Sequence, residues 1–234
     1  MNSLLQLLCF SLLLHVVIGA DPLSHVCSAS GNYAANSPYD TNLNQLETYL
    51  YYQTPWWGFA MGSVGSSPNQ AYGLAQCRAD ISFADCQTCV AQARDNIGNF
   101  CPYNKGGIIW YDYCLLKFLD QNFFHQIDNQ NKFYQSNSNE VSDPTTFDEN
   151  VKELLSQLSQ QASVHPKLFA TGETDFNQST KIYGLAQCTR DLTNPDCEQC
   201  LQEAINDLPS CCGGKQAGSV FTGSCNVRYA INPL

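Results

Sequence analysis

Two short segments of the chain carry closely spaced cysteines. YGLAQCRADISFADCQTC occupies residues 72–89 and YGLAQCTRDLTNPDCEQC occupies residues 183–200, and both have the spacing C-x8-C-x2-C. Thiols at such spacing can do three kinds of chemistry. They can bind zinc, exchange disulfides as a redox-active pair, or form structural disulfides when the compartment is oxidising. The choice among the three depends on where the protein resides.

The N-terminal residues indicate that compartment. Residues 4–18 are mostly apolar, and Ile18-Gly19-Ala20 offers small residues for cleavage. We therefore predict a secretory signal peptide over residues 1–20 and a mature protein that is secreted to the extracellular space, the apoplast. A transmembrane anchor is the alternative, but the apolar run is shorter than the roughly 20 residues that a span needs.

The cysteine count favours disulfides. Cleavage of the signal peptide removes Cys9 and leaves twelve of the thirteen cysteines, an even number. An even count at repeated spacings is typical of a disulfide framework in a secreted protein. Zinc is disfavoured because exported thiols tend to oxidise, and a redox-active pair usually has few cysteine neighbours. We therefore predict no metal ion and no other cofactor.

The repeat also predicts the domain organisation. The two cysteine segments are offset by 111 residues, so the mature chain divides into two tandem domains. We place the first domain at residues 21–126, an Asn-, Gln- and Ser-rich linker at residues 127–131, and the second domain at residues 132–234. Domains of this size bury a limited fraction of their surface, so cross-links help to stabilise them.

Each copy contains two helical patterns. Apolar residues at helical spacing run through residues 42–52 and 147–161. A second helix, over residues 83–100 and 194–208, contains the C-x2-C pair. Short polar residues at helix starts predict N-caps, and the candidates are Asp85, Asp196, and either Thr146 or Asp148.

Strand patterns fill the rest of each copy. Segments of β-branched, aromatic and other apolar residues lie at 58–65, 72–77, 106–119, 167–176, 183–188 and 218–231. The order in both copies is helix, strands, helix, strands. We therefore predict an α+β fold in which two helices pack on one face of an antiparallel sheet in each domain.

This arrangement explains the cysteine spacing. Residues three apart on a helix lie on one face, so one cysteine can reach back to the preceding strand and the other forward to the following strand. The predicted pairs are Cys77–Cys86, Cys89–Cys114, Cys188–Cys197 and Cys200–Cys225.

At these residues the chain resembles the stress-antifungal, or ginkbilobin-type, cysteine-rich repeat of land plants. The matching motifs are C-x8-C-x2-C, YGLAQC, PSCCGGKQ and SCNVRY, and two tandem copies cover the whole mature chain. Tandem copies occur in ectodomains of plant cysteine-rich receptor-like kinases and in secreted proteins. Because no span or kinase precedes the end at Leu234, the sequence is similar to the secreted proteins of the family.

The resemblance adds details to the fold. It implies a sheet of about five strands in each domain and a third disulfide, Cys27–Cys101, in the first. Cys212 occupies the position of Cys101 in the second copy, but no cysteine there corresponds to Cys27. We therefore predict a vicinal Cys211–Cys212 disulfide, with free thiols or a bridge to another chain as alternatives.

The family's sugar-binding residues do not match. An antifungal seed protein of the family binds mannose through Asn, Arg and Glu. The residues at those positions are Ser28, Ile108 and Leu119 in the first domain and Ser219 and Ala230 in the second. Because the charged pair that would bond to sugar hydroxyls is missing, we predict no mannose binding at these positions.

Charge and motifs exclude several functions. The net charge is −10, divided as −4 for residues 21–126 and −6 for the remainder, and neither part has a basic cluster. We therefore predict no nucleic-acid or anionic-membrane partner. HExxH, G-x-S-x-G and phosphate-loop motifs are absent from the sequence. We predict no enzymatic activity, although a glycosidase-like carboxylate pair stays open.

The remaining interpretation is a non-enzymatic recognition protein of plant extracellular signalling or defence, which binds an unidentified protein or glycan. A directly antifungal effector is the alternative. Trp56, Trp57 and Trp110 could stack on a sugar, but we interpret them as core or interface residues. Alternation in CLLKFL leaves Leu115 and Leu119 on the face opposite the helices, so we expect the two domains to pack on each other.

One further site is a modification site. Asn177-Gln178-Ser179 is the N-x-[ST] sequon of the mature chain and lies in a polar stretch. We predict N-glycosylation of Asn177.

Overall fold

Two antiparallel five-stranded sheets, each with two helices on one face, make up the computed structural model, which describes residues 21–234. The predicted signal peptide, with Cys9, lies outside the described residues. The predicted α+β class and the tandem organisation are both confirmed.

The first domain has five strands and two helices. Its elements are β1 (Ser24–Cys27), α1 (Pro38–Trp57), β2 (Phe59–Val64), β3 (Ala71–Cys77), α2 (Phe83–Phe100), β4 (Gly107–Trp110) and β5 (Cys114–Leu119). The strand order is β1-β4-β5-β3-β2, so β5 is the central strand. All neighbouring strands of this sheet pair antiparallel.

The second domain repeats this plan. Its elements are β6 (Lys132–Ser136), α3 (Pro144–Val164), β7 (Phe169–Asn177), β8 (Thr180–Cys188), α4 (Asn194–Cys212), β9 (Ala217–Thr222) and β10 (Cys225–Ala230). The order β6-β9-β10-β8-β7 is that of the first sheet. Sequence patterns do not single out β1 and β6, because each is short and lies at the sheet edge.

A repeated glycine lets the first helix of each domain approach the sheet closely. A Cβ atom on Gly73 would lie 3.0 Å from Leu46, and one on Gly184 would lie 2.8 Å from Leu158. The Gly184 distance is shorter than real Cβ contacts show, and the Gly73 distance is tighter than most of them. The glycine of YGLAQC is therefore needed for packing of α1 on β3 and of α3 on β8.

The helices α2 and α4 begin at the predicted residues, but the predicted N-caps are wrong, and α3 begins three residues earlier than predicted. The N-caps are Ser82 for α2, Thr193 for α4 and Asp143 for α3. Asp85 and Asp196 lie three residues inside, where each accepts a hydrogen bond from the cap hydroxyl at 2.6 Å. The cap oxygen in turn accepts a hydrogen bond from the Asp85 or Asp196 backbone N–H, at 3.2 and 3.3 Å. In α3, Pro144 directly follows the cap, and its fixed φ suits the first helical position.

Alternation along β5 decides which residues face the helices. Cys114, Leu116 and Phe118 belong to the core between helices and sheet. Leu115 points to the opposite face, where it packs with Phe221 and Phe133 of the second domain. Part of the outer face of the first sheet is thus covered by the second domain, as the alternation predicts.

Candidate functional site

The predicted cysteine staples connect each helix that carries a C-x2-C pair to its sheet. Disulfides in the structure join Cys77 to Cys86 and Cys89 to Cys114, with Cα separations of 5.6 and 6.0 Å. The second domain has Cys188–Cys197 and Cys200–Cys225 at the equivalent places. Within residues 21–234, no group of three or more His, Cys, Asp or Glu residues is placed to hold a metal ion. In both domains the duplicated cysteine segment therefore joins a helix to its sheet through two disulfides.

The two domains differ at one sheet edge. Cys27 of β1 is bonded to Cys101 at the end of α2. In register, Cys27 lies opposite Gly107, and Ser136 of β6 lies opposite the equivalent Gly218. A serine therefore replaces the partner that Cys212 would need.

Cys212 is bonded to its neighbour Cys211 in the structure, and we call these two residues the vicinal pair. The Cys212 carbonyl accepts a hydrogen bond of 2.7 Å from the Tyr229 hydroxyl. The vicinal pair closes the last turn of α4 but does not tie that helix to an edge strand. Its oxidation state in solution stays a prediction, and peptide mapping without reduction tests it.

The family's sugar-binding positions do not form a polar site. Ser28 and Leu119 close over Gly106, where an added Cβ atom would lie 2.8 and 2.3 Å from them. Ile108 is buried in the cluster that the second domain covers. In the second domain, Ser219 and Ala230 lie half-buried on β9 and β10. We expect no mannose binding at these positions, since they provide no charged group.

The sequon lies in a tight hairpin. Asn177 ends β7 and is exposed, and β8 begins at Thr180. The Asn177 Oδ1 atom accepts hydrogen bonds from the Ser179 N–H and hydroxyl at 3.0 and 3.1 Å. The location is accessible, and glycosylation there stays a prediction.

The junction of the domains is built on two reciprocal hydrogen bonds. The Gln76 Nε2 atom donates to the Cys188 carbonyl at 2.7 Å, and Gln187 Nε2 donates to the Cys77 carbonyl at 3.0 Å. The two glutamines are equivalent residues of YGLAQC, so the contact is self-complementary in the manner of a twofold dimer. Both side chains are buried, so loss of either would leave unpaired polar groups.

A buried arginine adds to this junction. Arg228 of the second domain donates to the carboxylate of Asp112 in the first and, at 3.0 Å, to the Asp112 carbonyl. Burial lowers the pKa of Arg228, and the charge of Asp112 opposes that shift. Beside it, the Trp110 indole N–H donates to the Thr222 carbonyl at 2.9 Å. Trp110 is therefore an interface residue, as predicted.

The predicted linker is tied to both domains. Lys117, buried at the centre of the outer face of the first sheet, donates to Asp128 at 2.6 Å. The backbone N–H of Asp128 donates to the Ser224 hydroxyl of the second domain at 2.9 Å. Burial pushes the pKa of Asp128 up, but the charge of Lys117 and hydrogen bonds from Lys117 and Asn131 outweigh it and hold the pKa below its usual value.

A cleft of about 650 Å³ opens at this junction. It lies between the end of α1, the start of α2 and the loops before β7 and after β8. We call it the tryptophan cleft, and its principal lining side chains are Trp56, Trp57, Phe83, Arg78, Lys167 and Arg190. The two domains thus build one concave surface together, which neither would form alone.

For two of the three tryptophans, the structure contradicts the interpretation as core or interface residues. Trp56 and Trp57 are 71% and 70% exposed. They end α1, whose inward face is taken by Thr54 and Pro55, and Gly58 then turns the chain in the left-handed conformation. The last helical turn therefore directs both indoles outward. The Trp56 ring lies 4.7 Å from that of Phe83, which is also exposed.

The charge of the cleft is opposite to that of the protein. Its lining includes three cations and no Asp or Glu. Arg78 pairs with Asp80 at 2.7 Å. Lys167 and Arg190 donate to the backbone carbonyls of Ala79 and Trp57, and neither has an ion-pair partner among residues 21–234. Two positive charges therefore lack a carboxylate partner beside exposed aromatic rings.

Comparison with family models identifies the two domains. The model described as salt stress response/antifungal matches residues 26–121 and again residues 132–232. The chain belongs to the salt stress response/antifungal family.

Relatives in this family share nearly the whole chain. An "Antimicrobial ginkbilobin-2-like protein" from Castanea crenata is 52% identical over 97% of this chain and 94% of its own length. "Cysteine-rich repeat secretory protein 38" from Arabidopsis thaliana is 47% identical over 91% of this chain and 85% of its own length. The resemblance stated from the sequence is therefore confirmed.

Solved structures of the family share the tandem arrangement. The tandem DUF26 ectodomain of the Arabidopsis thaliana cysteine-rich receptor-like protein PDLP8 aligns with a TM-score of 0.79 at 25% identity, and the match covers 90% of this chain and 98% of that one. The corresponding ectodomain of PDLP5 aligns with a TM-score of 0.75. No helix within residues 21–234 is long and apolar enough to cross a bilayer.

The histidines and one partly buried glutamate lie apart from one another and have separate contacts. His25 stacks on Phe100, the His125 Nδ1 atom is hydrogen-bonded to the Asp191 carbonyl, and the His165 Nδ1 atom accepts from the Lys167 N–H. Burial raises the pKa of Glu47 to about 7, against the charge of Arg94. Glu47 does not line the tryptophan cleft, so its raised pKa gives no support for catalysis there.

Proposed function

We propose that the protein is a secreted, non-enzymatic recognition protein that acts outside the plant cell in signalling or in stress and defence responses. It binds an extracellular carbohydrate or protein partner. The observation that carries this proposal is the tryptophan cleft at a junction fixed by buried hydrogen bonds. A concave surface with aromatic walls and a few polar groups is typical of a binding site.

The relatives support this proposal. Those at 47% and 43% identity carry names of cysteine-rich repeat secretory proteins, and the matched solved structures are ectodomains of receptor-like proteins. A fixed orientation of the two domains favours binding at the tryptophan cleft, because freely moving domains would have to be ordered on binding at a cost in affinity.

Capture from plant extracellular fluid tests the proposal. The native protein, immobilised with its disulfides intact, should retain a specific partner or glycan in a saturable manner. The same chain, reduced and alkylated, is the control, because it has the same composition and charge apart from its thiols. Equal retention by both forms would contradict a recognition function of the folded tandem.

Direct antifungal action is the second candidate. It is favoured by the relative that is 52% identical and is named an antimicrobial protein. The net charge of −10 opposes it, because anionic surfaces of microbes repel an acidic protein. Growth of fungal hyphae with the purified native chain separates the candidates. We expect no inhibition, and inhibition by the native but not the reduced chain would establish the second candidate.

A further inference from the structure

We propose that the tryptophan cleft binds an acidic oligosaccharide, a short chain of sugars that carry carboxylate groups as uronic acids do. This inference rests on the proposed recognition function and names the class of ligand. It is argued from the aromatic walls of the cleft, its unpaired cations and its position between the domains.

The aromatic residues suit the faces of sugar rings. Trp56 and Trp57 are exposed over most of their surface, and Phe83 stands beside Trp56. The π face of an indole carries negative potential, and the C–H groups on one face of a pyranose ring carry weak positive charge. A sugar can therefore stack on such a platform and keep its hydroxyl groups directed into water.

The cations select a ligand with negative charge. Within the described residues, the Lys167 and Arg190 side chains donate hydrogen bonds only to backbone carbonyls, and the Arg190 guanidinium also lies 5.6 Å from the centre of the Phe59 ring. The remaining donors of the Lys167 ammonium and the Arg190 guanidinium are available. Charge-assisted hydrogen bonds to carboxylates are about twice as strong as neutral ones. Because neither Lys167 nor Arg190 has an ion-pair partner among residues 21–234, a carboxylate bound to them replaces no carboxylate of the described chain.

The backbone contacts of these cations also hold the cleft in shape. Arg190 of the second domain donates to the Trp57 carbonyl of the first at 2.7 Å, and Lys167 donates to the Ala79 carbonyl at 3.3 Å. The aromatic wall comes from the first domain and Lys167 and Arg190 come from the second, so their spacing depends on the junction. A ligand that contacts both would bind a preformed site rather than organise one.

Other occupants fit this surface less well. A nucleic acid needs several phosphate-binding cations along its path, and the cleft has two without a carboxylate partner in the described chain. A neutral sugar would use the aromatic rings but leave both cations without a partner. A cleft of about 650 Å³ lies within the range of about 300–1,000 Å³ that holds small ligands.

Calorimetric titration of the native full-length mature chain with a defined oligosaccharide tests the inference. The probe is a linear tetramer of galacturonic acid, and the matched control is the same tetramer with every carboxyl group methyl-esterified. Esterification retains the ring faces and removes the charges. We expect the acid tetramer to bind at least about tenfold more tightly than the ester, and to weaken as salt is added.

Variants then locate the site. Trp56→Ala should weaken binding of the acid tetramer at least about tenfold, and Lys167→Gln should reduce the preference for the acid tetramer over the ester. Tyr52→Ala is the control for the first change, since Tyr52 is 60% exposed on the same helix but does not line the cleft. Lys181→Gln, at another exposed lysine, is the control for the second.

Several outcomes would overturn the inference. Absence of binding by the acid tetramer, equal affinity for the acid and the ester, or equal losses with Trp56→Ala and Tyr52→Ala each suffice. These results leave the proposed function in place if the extracellular capture still retains a partner on the native chain. Failure of that capture together with tight tetramer binding would instead show a sugar-binding cleft without the proposed recognition partner.

Discussion

The ion pair between Lys117 and Asp128 offers a sharp test of how the domains are held together. The Lys117 side chain is 3% exposed and that of Asp128 is 14% exposed. Asp128→Asn keeps the shape of the side chain and removes its charge. The change leaves a buried ammonium group without a carboxylate, while its contact with the Phe123 ring at 4.6 Å persists.

The expected cost follows from this burial. Removal of one partner from a buried ion pair costs about 3–5 kcal/mol. We expect a value near the lower end, about 3 kcal/mol, because the amide oxygen can still accept hydrogen bonds. For a chain of this size, about 3 kcal/mol corresponds to a decrease in Tm of about 6–12 °C if the two domains unfold together.

Urea unfolding with intact disulfides, followed by tryptophan fluorescence and circular dichroism, measures this loss. The double variant Lys117→Met/Asp128→Asn is the matched control. It removes both charges and leaves a methionine of similar length, so stability should return to within about 1 kcal/mol of the original. A cost below about 1 kcal/mol for Asp128→Asn, or a double variant as unstable as the single one, would refute the reasoning.

The pH dependence gives a second measurement of the same pair. The pKa of Asp128 is lower in the folded protein than its usual value of 3.8. Its stabilisation is therefore fully present above the unfolded pKa and is lost as pH falls through the folded pKa. The stability difference between the original chain and Asp128→Asn should stay constant above about pH 5 and shrink in acid below about pH 4. A difference that grows in acid would contradict the assignment.

Three further outcomes follow from the junction, the staples and the sequon. Gln76→Ala leaves a carbonyl and an N–H of the second domain without their partner, so the free energy of unfolding should fall by about 3 kcal/mol. Small-angle scattering should also show a larger radius of gyration, and an unchanged radius would count against the fixed junction. Cys27→Ser/Cys101→Ser opens a loop with a sequence separation of 74 and should lower the free energy of unfolding by about 4.5 kcal/mol. Serines at both positions of the vicinal pair should lower it by less than about 1 kcal/mol, because that disulfide closes a minimal loop. Equal losses of free energy in urea unfolding would refute this comparison. Mass analysis of plant-secreted protein should show a glycan on Asn177, and wholly unmodified peptide would exclude the modification.

Local chemistry in the sequence determined the architecture of each domain. Spacing of apolar residues predicted the long helices, and the C-x8-C-x2-C segment predicted which strands its helix is bonded to. These features depend on residues that are close in sequence, because a helix brings residues three apart onto one face. Because the segment is repeated, the same helices and disulfides were predicted for the second domain.

Alternation along β5 also predicted that its outer face is covered by the second domain, but it did not predict that Lys117 would be buried there. Lys117 stands between two leucines on that face, and a lysine in such a pattern usually indicates exposure to solvent. Its burial against Asp128 and Phe123 depends on the path of the segment between the domains. Periodicity gives the face of a side chain, whereas the covering element comes from elsewhere in the chain.

Only the tertiary structure decided which tryptophan side chains are exposed and whether a cleft forms between the domains. Trp110 is buried against the second domain, whereas Trp56 and Trp57 are exposed at the end of α1. Residue type favours burial for all three equally, so composition cannot separate them. Lys167 and Arg190, the two cleft cations without a carboxylate partner in the described residues, lie more than a hundred residues from Trp56 and Trp57 in sequence. Only the reciprocal packing of the two sheets brings these groups together, since no local pattern encodes the contact between separate domains.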